Sequence, residues 1–215
     1  MKNSISDRAY IHPGAKLANN VTVEAFAYIA EDVEIGVGAW IGPHATIMDG
    51  SRIGARCKIF PGAVIGAIPQ DLKFKGESTT AEIGDDTTIR ECVTVNRGTS
   101  DRNRTVVGKN CLLMAYAHVA HDTFIGDHCI LANAVNLAGH VTIEDYAILE
   151  GMVAVQQFVR IGQHSFVAGA SLVRKNVPPY VRAAREPISY IGVNRIGLER
   201  RGFSQEVIQE IEELY

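Results

Sequence analysis

One stretch of this chain concentrates side chains that can hold and move a proton. The segment MAYAHVAHDTFIGDHC, residues 114–129, carries His118, His121, Asp122 and His128, and His140 follows in LAGHVTIEDY. An imidazole is poised near neutral pH, and a carboxylate beside it can fix its tautomer and stabilise the imidazolium it becomes. His121 followed by Asp122 therefore reads as a general base with its orienting partner. No nucleophile accompanies it. There is no GxSxG elbow, and Cys57, Cys92, Cys111 and Cys129 are scattered without a CxxC pair or a paired base. The cysteines are expected to be small buried residues of a reducing compartment. Direct attack by an acceptor that the base activates needs no such nucleophile, and the oxyanion it would create needs a donor, for which the backbone N–H of Gly139 is a candidate.

The element that must position these groups is written in a period of six. Stepping by six from Ile11 to Val173 visits 28 positions, and all but Asp71, Glu77 and Asp101 hold Ile, Leu or Val, 25 in all. Gly often follows the aliphatic, as at Gly36, Gly54 and Gly84. A small or β-branched residue sits four places after it, as at Ala39, Ala63 and Ala117. Neither a helix nor an alternating strand has this period. A flat strand followed by a tight corner does, with Gly relieving strain at the turn. Three such units close a triangular coil of about 18 residues, each coil stacking on its neighbours. The expected fold is an all-β solenoid, a parallel β-helix, over residues 1–180. Two polar stretches, 66–82 and 98–106, leave the coil as loops.

With three hexads per coil, Asp122 and His140 take equivalent places on adjacent coils, and Gly139 sits over His121. His121, Asp122 and His140 can thus gather in one surface patch. Pro178 and Pro179 are expected to end the solenoid. Residues 181–215 then read as a connector and the start of a helical C-terminal domain. It has a short helical stretch around Asn194–Arg201 and a helix over 205–215 with Ser204 as N-cap. The apolar stripe of that helix is Val207, Ile208, Ile211 and Leu214. The pattern stops in mid-course at Tyr215. His12, His44, His128 and His164 are expected to be solvated surface residues, and Glu144 and Asp145 ordinary turn residues.

Composition narrows the function classes. The net charge of -3 offers no basic footprint for nucleic acid. No apolar run approaches the ~20 residues that span a bilayer, and MKNSISDRAYIHP lacks a signal-peptide apolar region. A soluble cytoplasmic protein is expected. From Arg174 to Arg201 there are seven basic residues against two acidic, a local excess suited to an acidic partner.

Several motifs together carry a resemblance. HVAHD (118–122), ILAN (130–133), LAGHV (137–141), QQF (156–158), NVPPYV (176–181), GLERRGFS (197–204), IPQDLKFKGE (68–77) and RECVTVNRGT (90–99) occur in the order seen in the UDP-N-acetylglucosamine O-acyltransferases of lipid A biosynthesis. The resemblance spans essentially the whole chain. It implies a left-handed β-helix and a homotrimer. It implies transfer of a 3-hydroxyacyl chain from the phosphopantetheine of acyl carrier protein to the sugar 3-hydroxyl, with no metal or other cofactor. On this resemblance His121 is the base and Asp122 its partner, and His118 and His140 line the sugar and thioester region. Asp71 and Lys73 reach in from a neighbouring subunit, and Gln157 lies near the sugar. Asn194, Arg200 and Arg201 hold the uridine diphosphate end, and Gly169 falls where acyl length is measured. The chain departs from better-known members in having Gln156 where they carry a histidine, and family members continue past Tyr215. A rival on the same scaffold is a metal-dependent hydratase, because His118, His121 and His140 are three histidines in one region.

Overall fold

The computed structural model describes residues 2–215. It is a left-handed parallel β-helix of three sheets with a small helical appendage at its C-terminal end. Among the described residues sheet A has eleven strands, sheet B nine and sheet C eight, and successive strands of the solenoid go to different sheets. Every pairing within the solenoid is parallel. Aliphatic stacks on aliphatic, as in Val23 on Ile41, Ile29 on Ile47 and Ile35 on Ile53. Ile29, Ile41, Ile59, Leu113, Leu131 and Leu149 are fully buried. Each such side chain contributes about 1.5–3 kcal/mol through removal from water.

The count by six survives the two loops because of their lengths. Thr46 pairs with Val64, three hexads on, and His118 with Asn136, again three hexads on. Between them Val64 pairs with Thr94, five hexads on, and Thr94 with His118, four hexads on. The first excursion thus adds two hexads to its coil and the second adds one, so neither disturbs the register. They leave between Ala67 and Thr80 and between Asn96 and Arg104. The repeat also starts one rung before Ile11, since Ser4–Ile5 pairs with Thr22–Val23.

The corners follow a rule other than the one expected. The left-handed backbone conformation falls on ordinary residues, such as His44 (φ 58°), Arg56 (φ 57°) and Tyr116 (φ 65°). Gly36 has no positive φ. It is glycine because a Cβ there would lie 2.6 Å from the backbone of Gly54 and Ala55 on the next coil. Close approach, rather than turn strain, selects Gly at that place.

Sheet A continues beyond Pro178 and Pro179. Val181–Ala184 pairs in parallel with Phe166–Val167 and turns back into an antiparallel partner, Ser189–Val193, so a hairpin replaces the expected connector. Two helices follow, α1 (Arg195–Arg200) and α2 (Gln205–Leu214). The Ser204 hydroxyl caps α2 by accepting from the Val207 N–H at 3.3 Å. Ile208 and Ile211 are buried with Leu198 and Val193, whereas Val207 and Leu214 are exposed, so the apolar stripe is narrower than expected. Tyr180 and Phe203 join this second core to a column of stacked rings on the solenoid corner, His128–Tyr146–His164–Tyr180. His164 is therefore buried rather than solvated. Asp145 lies in a turn, and its carboxylate accepts from the Asp127 N–H of the neighbouring coil. Cys57, Cys111 and Cys129 are buried free thiols, and Cys92 is half-buried.

Candidate active site

His121 ends a sheet B corner, and Asp122 (φ 59°) and His140 (φ 63°) occupy the same left-handed corner place on successive coils. The His140 N–H donates to the His121 carbonyl at 3.1 Å, locking the two coils in register at this point. The predicted stacking of His121, Asp122 and His140 is thus present. His121 Nδ1 lies 2.8 Å from Asp122 Oδ2, with Asp122 fully buried and His121 5% exposed. The His140 ring meets the His121 ring edge-on at 5.2 Å and stacks on Phe158 at 4.7 Å. His140 Nε2 is 3.7 Å from Asp122 Oδ2, and its Nδ1 is 3.2 Å from Asp101 Oδ2. The geometry of that last pair is not a hydrogen bond, and Nδ1 has no other polar partner.

Asp122 is anionic. Burial is the largest influence and raises its proton affinity. Hydrogen bonds from the Thr99 hydroxyl, from His121 and from the Thr99 and Arg102 N–H groups outweigh it, and the carboxyl stays below its ordinary value. An anionic Asp122 can only accept, so Nδ1 of His121 carries the proton and Nε2 keeps its lone pair. Gly139 covers one face of that ring so closely that a Cβ there would lie 2.6 Å from Cε1, 2.7 Å from Nε2 and 3.2 Å from Nδ1. The Gly139 N–H donates to no other described residue.

His118 lies on the adjacent sheet B strand with its Nδ1 2.7 Å from Thr94 Oγ1. Burial first, and nearby His121 second, lower its proton affinity, so it is neutral at physiological pH. Asp71 and Lys73 line a cavity of about 310 Å³ with Asp101, Thr99, Phe158 and that same chain's own His140. Part of the wall assigned to a neighbouring subunit is therefore present within one chain. Gln157 is exposed beside Phe158, Gln156 is exposed as well, and Gly169 is exposed on a later corner. A larger groove of about 970 Å³ follows the sheet C glycines and contains none of these residues.

The three residues assigned to the nucleotide end divide into two kinds. Asn194 is buried, and its Nδ2 donates to the His164 carbonyl at 2.9 Å. Arg201 is half-buried, donates to the Tyr146 carbonyl at 2.9 Å and covers the Tyr146 ring. Both dock the helical appendage onto the solenoid. Arg200 is exposed.

Sequence reasoning missed Thr94, Thr99 and Arg102, although RECVTVNRGT contains the first two. Their roles come from pairings 24, 23 and 20 residues away, which no local pattern announces. The metal rival also changes shape. The groups whose ligand atoms fall within 4.8 Å of one another are His121, Asp122 and His140, and His118 is not among them. Asp122 already accepts four hydrogen bonds, from His121, Arg102 and twice from Thr99, an arrangement organised around a protonated imidazole nitrogen.

Comparison with known proteins places this geometry. Residues 176–215 match the family described as UDP N-acetylglucosamine O-acyltransferase, domain 2, and residues 32–67 and 104–139 match bacterial transferase hexapeptide repeats. The chain is 62% identical over 148 residues to the acyl-[acyl-carrier-protein]–UDP-N-acetylglucosamine O-acyltransferase of Aquifex aeolicus, a match spanning 68% of this chain and 57% of that enzyme's length. It is 54% identical over 216 residues to the Trichlorobacter lovleyi enzyme of the same name, spanning 99% of this chain and 83% of the relative. The crystal structure of a UDP-N-acetylglucosamine acyltransferase from Bacteroides fragilis superposes with a TM-score of 0.95 at 53% identity, covering 97% of this chain and 82% of that one. The chain belongs to the UDP-N-acetylglucosamine O-acyltransferase family.

Proposed function

We propose that the protein transfers a 3-hydroxyacyl chain from acyl carrier protein to the 3-hydroxyl of UDP-N-acetylglucosamine, with His121 as general base. The observation that carries this reading is the His121 imidazole tied through Nδ1 to a buried anionic Asp122, with Gly139 packed against the ring face. The relatives' names supply the donor and the acceptor.

Nε2 of His121 removes the proton of the sugar hydroxyl as that oxygen bonds to the thioester carbonyl carbon. The negative charge passes to the carbonyl oxygen, where the free Gly139 N–H can donate to it. When the carbonyl re-forms, the carbon–sulfur bond breaks, and the imidazolium returns its proton to the departing phosphopantetheine thiolate. Asp122 stabilises the imidazolium in between. Neutral His118 and the stacked His140 border the reacting groups. Asp71 and Lys73 face the sugar from the cavity wall, with Gln157 beside it.

Of the three residues at the nucleotide end, Arg200 has its guanidinium in solvent and is assigned to the diphosphate. Asn194 and Arg201 hold the segment that carries it. The basic excess of 174–201 is partly neutralised internally, since Arg174 pairs with Glu186 and Arg195 with Glu199 and Glu212. Lys175, Arg182 and Arg185 remain for the acidic carrier protein. A cytoplasmic homotrimer is the assembly proposed. Among the described residues no helix is long and apolar enough to cross a membrane.

The test is acyl transfer from a panel of 3-hydroxyacyl carrier proteins to UDP-N-acetylglucosamine, by wild type and His121→Ala. A fall of about 10²–10⁴ in kcat for a variant that melts like wild type is the expected result. A folded wild type that transfers from no donor, or a fully active variant, sinks the proposal.

A further inference from the structure

Asp122 is gripped less by its own coil than by the excursion that precedes it. Its Oδ1 accepts from the Thr99 N–H at 3.0 Å and the Arg102 N–H at 3.2 Å. Its Oδ2 accepts from the Thr99 hydroxyl at 2.6 Å and from His121 Nδ1 at 2.8 Å. One threonine therefore supplies two of the four donors, one to each oxygen.

We propose that Thr99 is a positioning residue for the His121 base: it sets which oxygen of Asp122 meets the imidazole and keeps that carboxylate charged in its buried place. The inference rests on the assignment of His121 as general base.

The direction of the Thr99 hydroxyl is itself determined. Its Oγ1 accepts from the Asp101 N–H at 3.2 Å, so its own hydrogen is free to point at Asp122 Oδ2. With Oδ1 held by two backbone N–H groups and Oδ2 by the hydroxyl, the carboxylate cannot turn, and Oδ2 is presented to His121. A carboxylate held this way accepts from Nδ1, which leaves Nε2 as the proton acceptor. The loop is built before any substrate arrives. Its turn is closed by the Asn103 N–H donating to the Thr99 carbonyl at 2.8 Å. Its neck is anchored by the Thr79 hydroxyl on the Gly98 carbonyl at 2.6 Å. A Cβ on Gly98 would lie 2.3 Å from the Arg104 nitrogen, so the neck admits no side chain there. The Arg102 guanidinium returns to the Asp122 carbonyl at 3.0 Å. The one-hexad insertion, read from sequence only as a loop leaving the coil, thus functions as a mount for the carboxylate.

Removing the hydroxyl takes one donor from Oδ2 and leaves more of its negative charge on His121. The imidazolium is then stabilised and the base is protonated at higher pH, while the carboxylate gains freedom to turn. The experiment compares Thr99→Val and Thr99→Ser with wild type in the full chain, by steady-state kinetics across pH and by NMR titration of the ¹⁵N-labelled His121 ring. For Thr99→Val the expected result is a kcat lower by about tenfold or more, with KM for the nucleotide sugar within about twofold. The acidic limb of kcat/KM and the His121 titration both move to higher pH. Thr99→Ser restores the rate to within about threefold and returns the limb to its place. Thr99→Cys, of similar volume but a weak donor, shifts the titration in the same direction, so unfolding of the valine variant does not end the test. An unchanged limb and titration in Thr99→Val, even with a lower rate, overturns the inference, as does a serine variant that fails to recover. A wild type without transfer activity overturns the general-base assignment, and a shifted ring titration in that case still upholds the mount.

Discussion

Gly139 lies so close to the face of the His121 imidazole that a Cβ placed on it would fall 2.6 Å from Cε1, 2.7 Å from Nε2 and 3.2 Å from Nδ1. Gly139 has no positive φ, so an alanine there meets no backbone strain. Its methyl group meets the His121 ring. Gly139→Ala is expected to lower kcat by about a hundredfold through displacement of His121, because small misplacements of reacting groups cost that much. Its melting temperature should stay near that of wild type. An alanine variant with wild-type kcat would show that the ring has room to move and that Nε2 works elsewhere.

The nucleotide end offers a contrast between neighbours. Arg200→Ala is expected to raise KM for UDP-N-acetylglucosamine severalfold with no change in melting temperature, because the side chain is exposed. Asn194→Ala strips the His164 carbonyl of its buried donor and should cost about 1–3 kcal/mol of stability at the appendage. Limited proteolysis and melting of the two variants would separate the roles. Equal stability losses in both, or none in Asn194→Ala, would refute the division.

Stability should respond to mild acid through two histidines. Burial, then His121, depresses the His118 proton affinity; burial, then Arg201, depresses that of His164, with Asp145 opposing. A depressed histidine is protonated first in the unfolded chain, whose imidazoles titrate near about 6.5. The unfolded state then binds more protons, and stability falls as pH drops below that value. Melting temperature is expected to decline from pH 7.5 to 5.5. His164→Phe keeps a ring between Tyr146 and Tyr180 and removes an Nδ1 that has no partner. It should flatten part of this decline and add roughly 1 kcal/mol at neutral pH. Calorimetric scans at several pH values decide it, and parallel curves for the two proteins would count against the assignment.

Gly169 provides a test of acyl length. It is exposed, and a Cβ there would meet only the Gly151 carbonyl at 3.2 Å and Glu150 at 3.7 Å and beyond. Gly169→Met can therefore be accommodated by the fold while filling space outside the corner. Transfer assays with carrier proteins bearing short and long 3-hydroxyacyl chains should show the preference moving to shorter donors. An unchanged preference would place the ruler elsewhere.

The amino-acid sequence determined the solenoid. Each rung repeats one local instruction, an inward aliphatic with a small residue before the next corner, so packing of neighbouring coils follows from spacing alone. Even the two excursions keep the count, because each adds whole hexads to its coil. The juxtaposition of His121, Asp122 and His140 was legible for the same reason: it is a coil-to-coil stacking of fixed period. Tertiary structure alone decided what surrounds them. Thr99 and Arg102 reach Asp122 from a loop whose path depends on hydrogen bonds within the loop, not on the repeat. Asn194, Arg201 and His164 are built into a docking interface between two cores, although their polar character reads as surface in the sequence. Periodic packing is a short-range property written at every rung, whereas non-repeating loops and the appendage take their places through single contacts between distant residues, which composition and spacing do not encode.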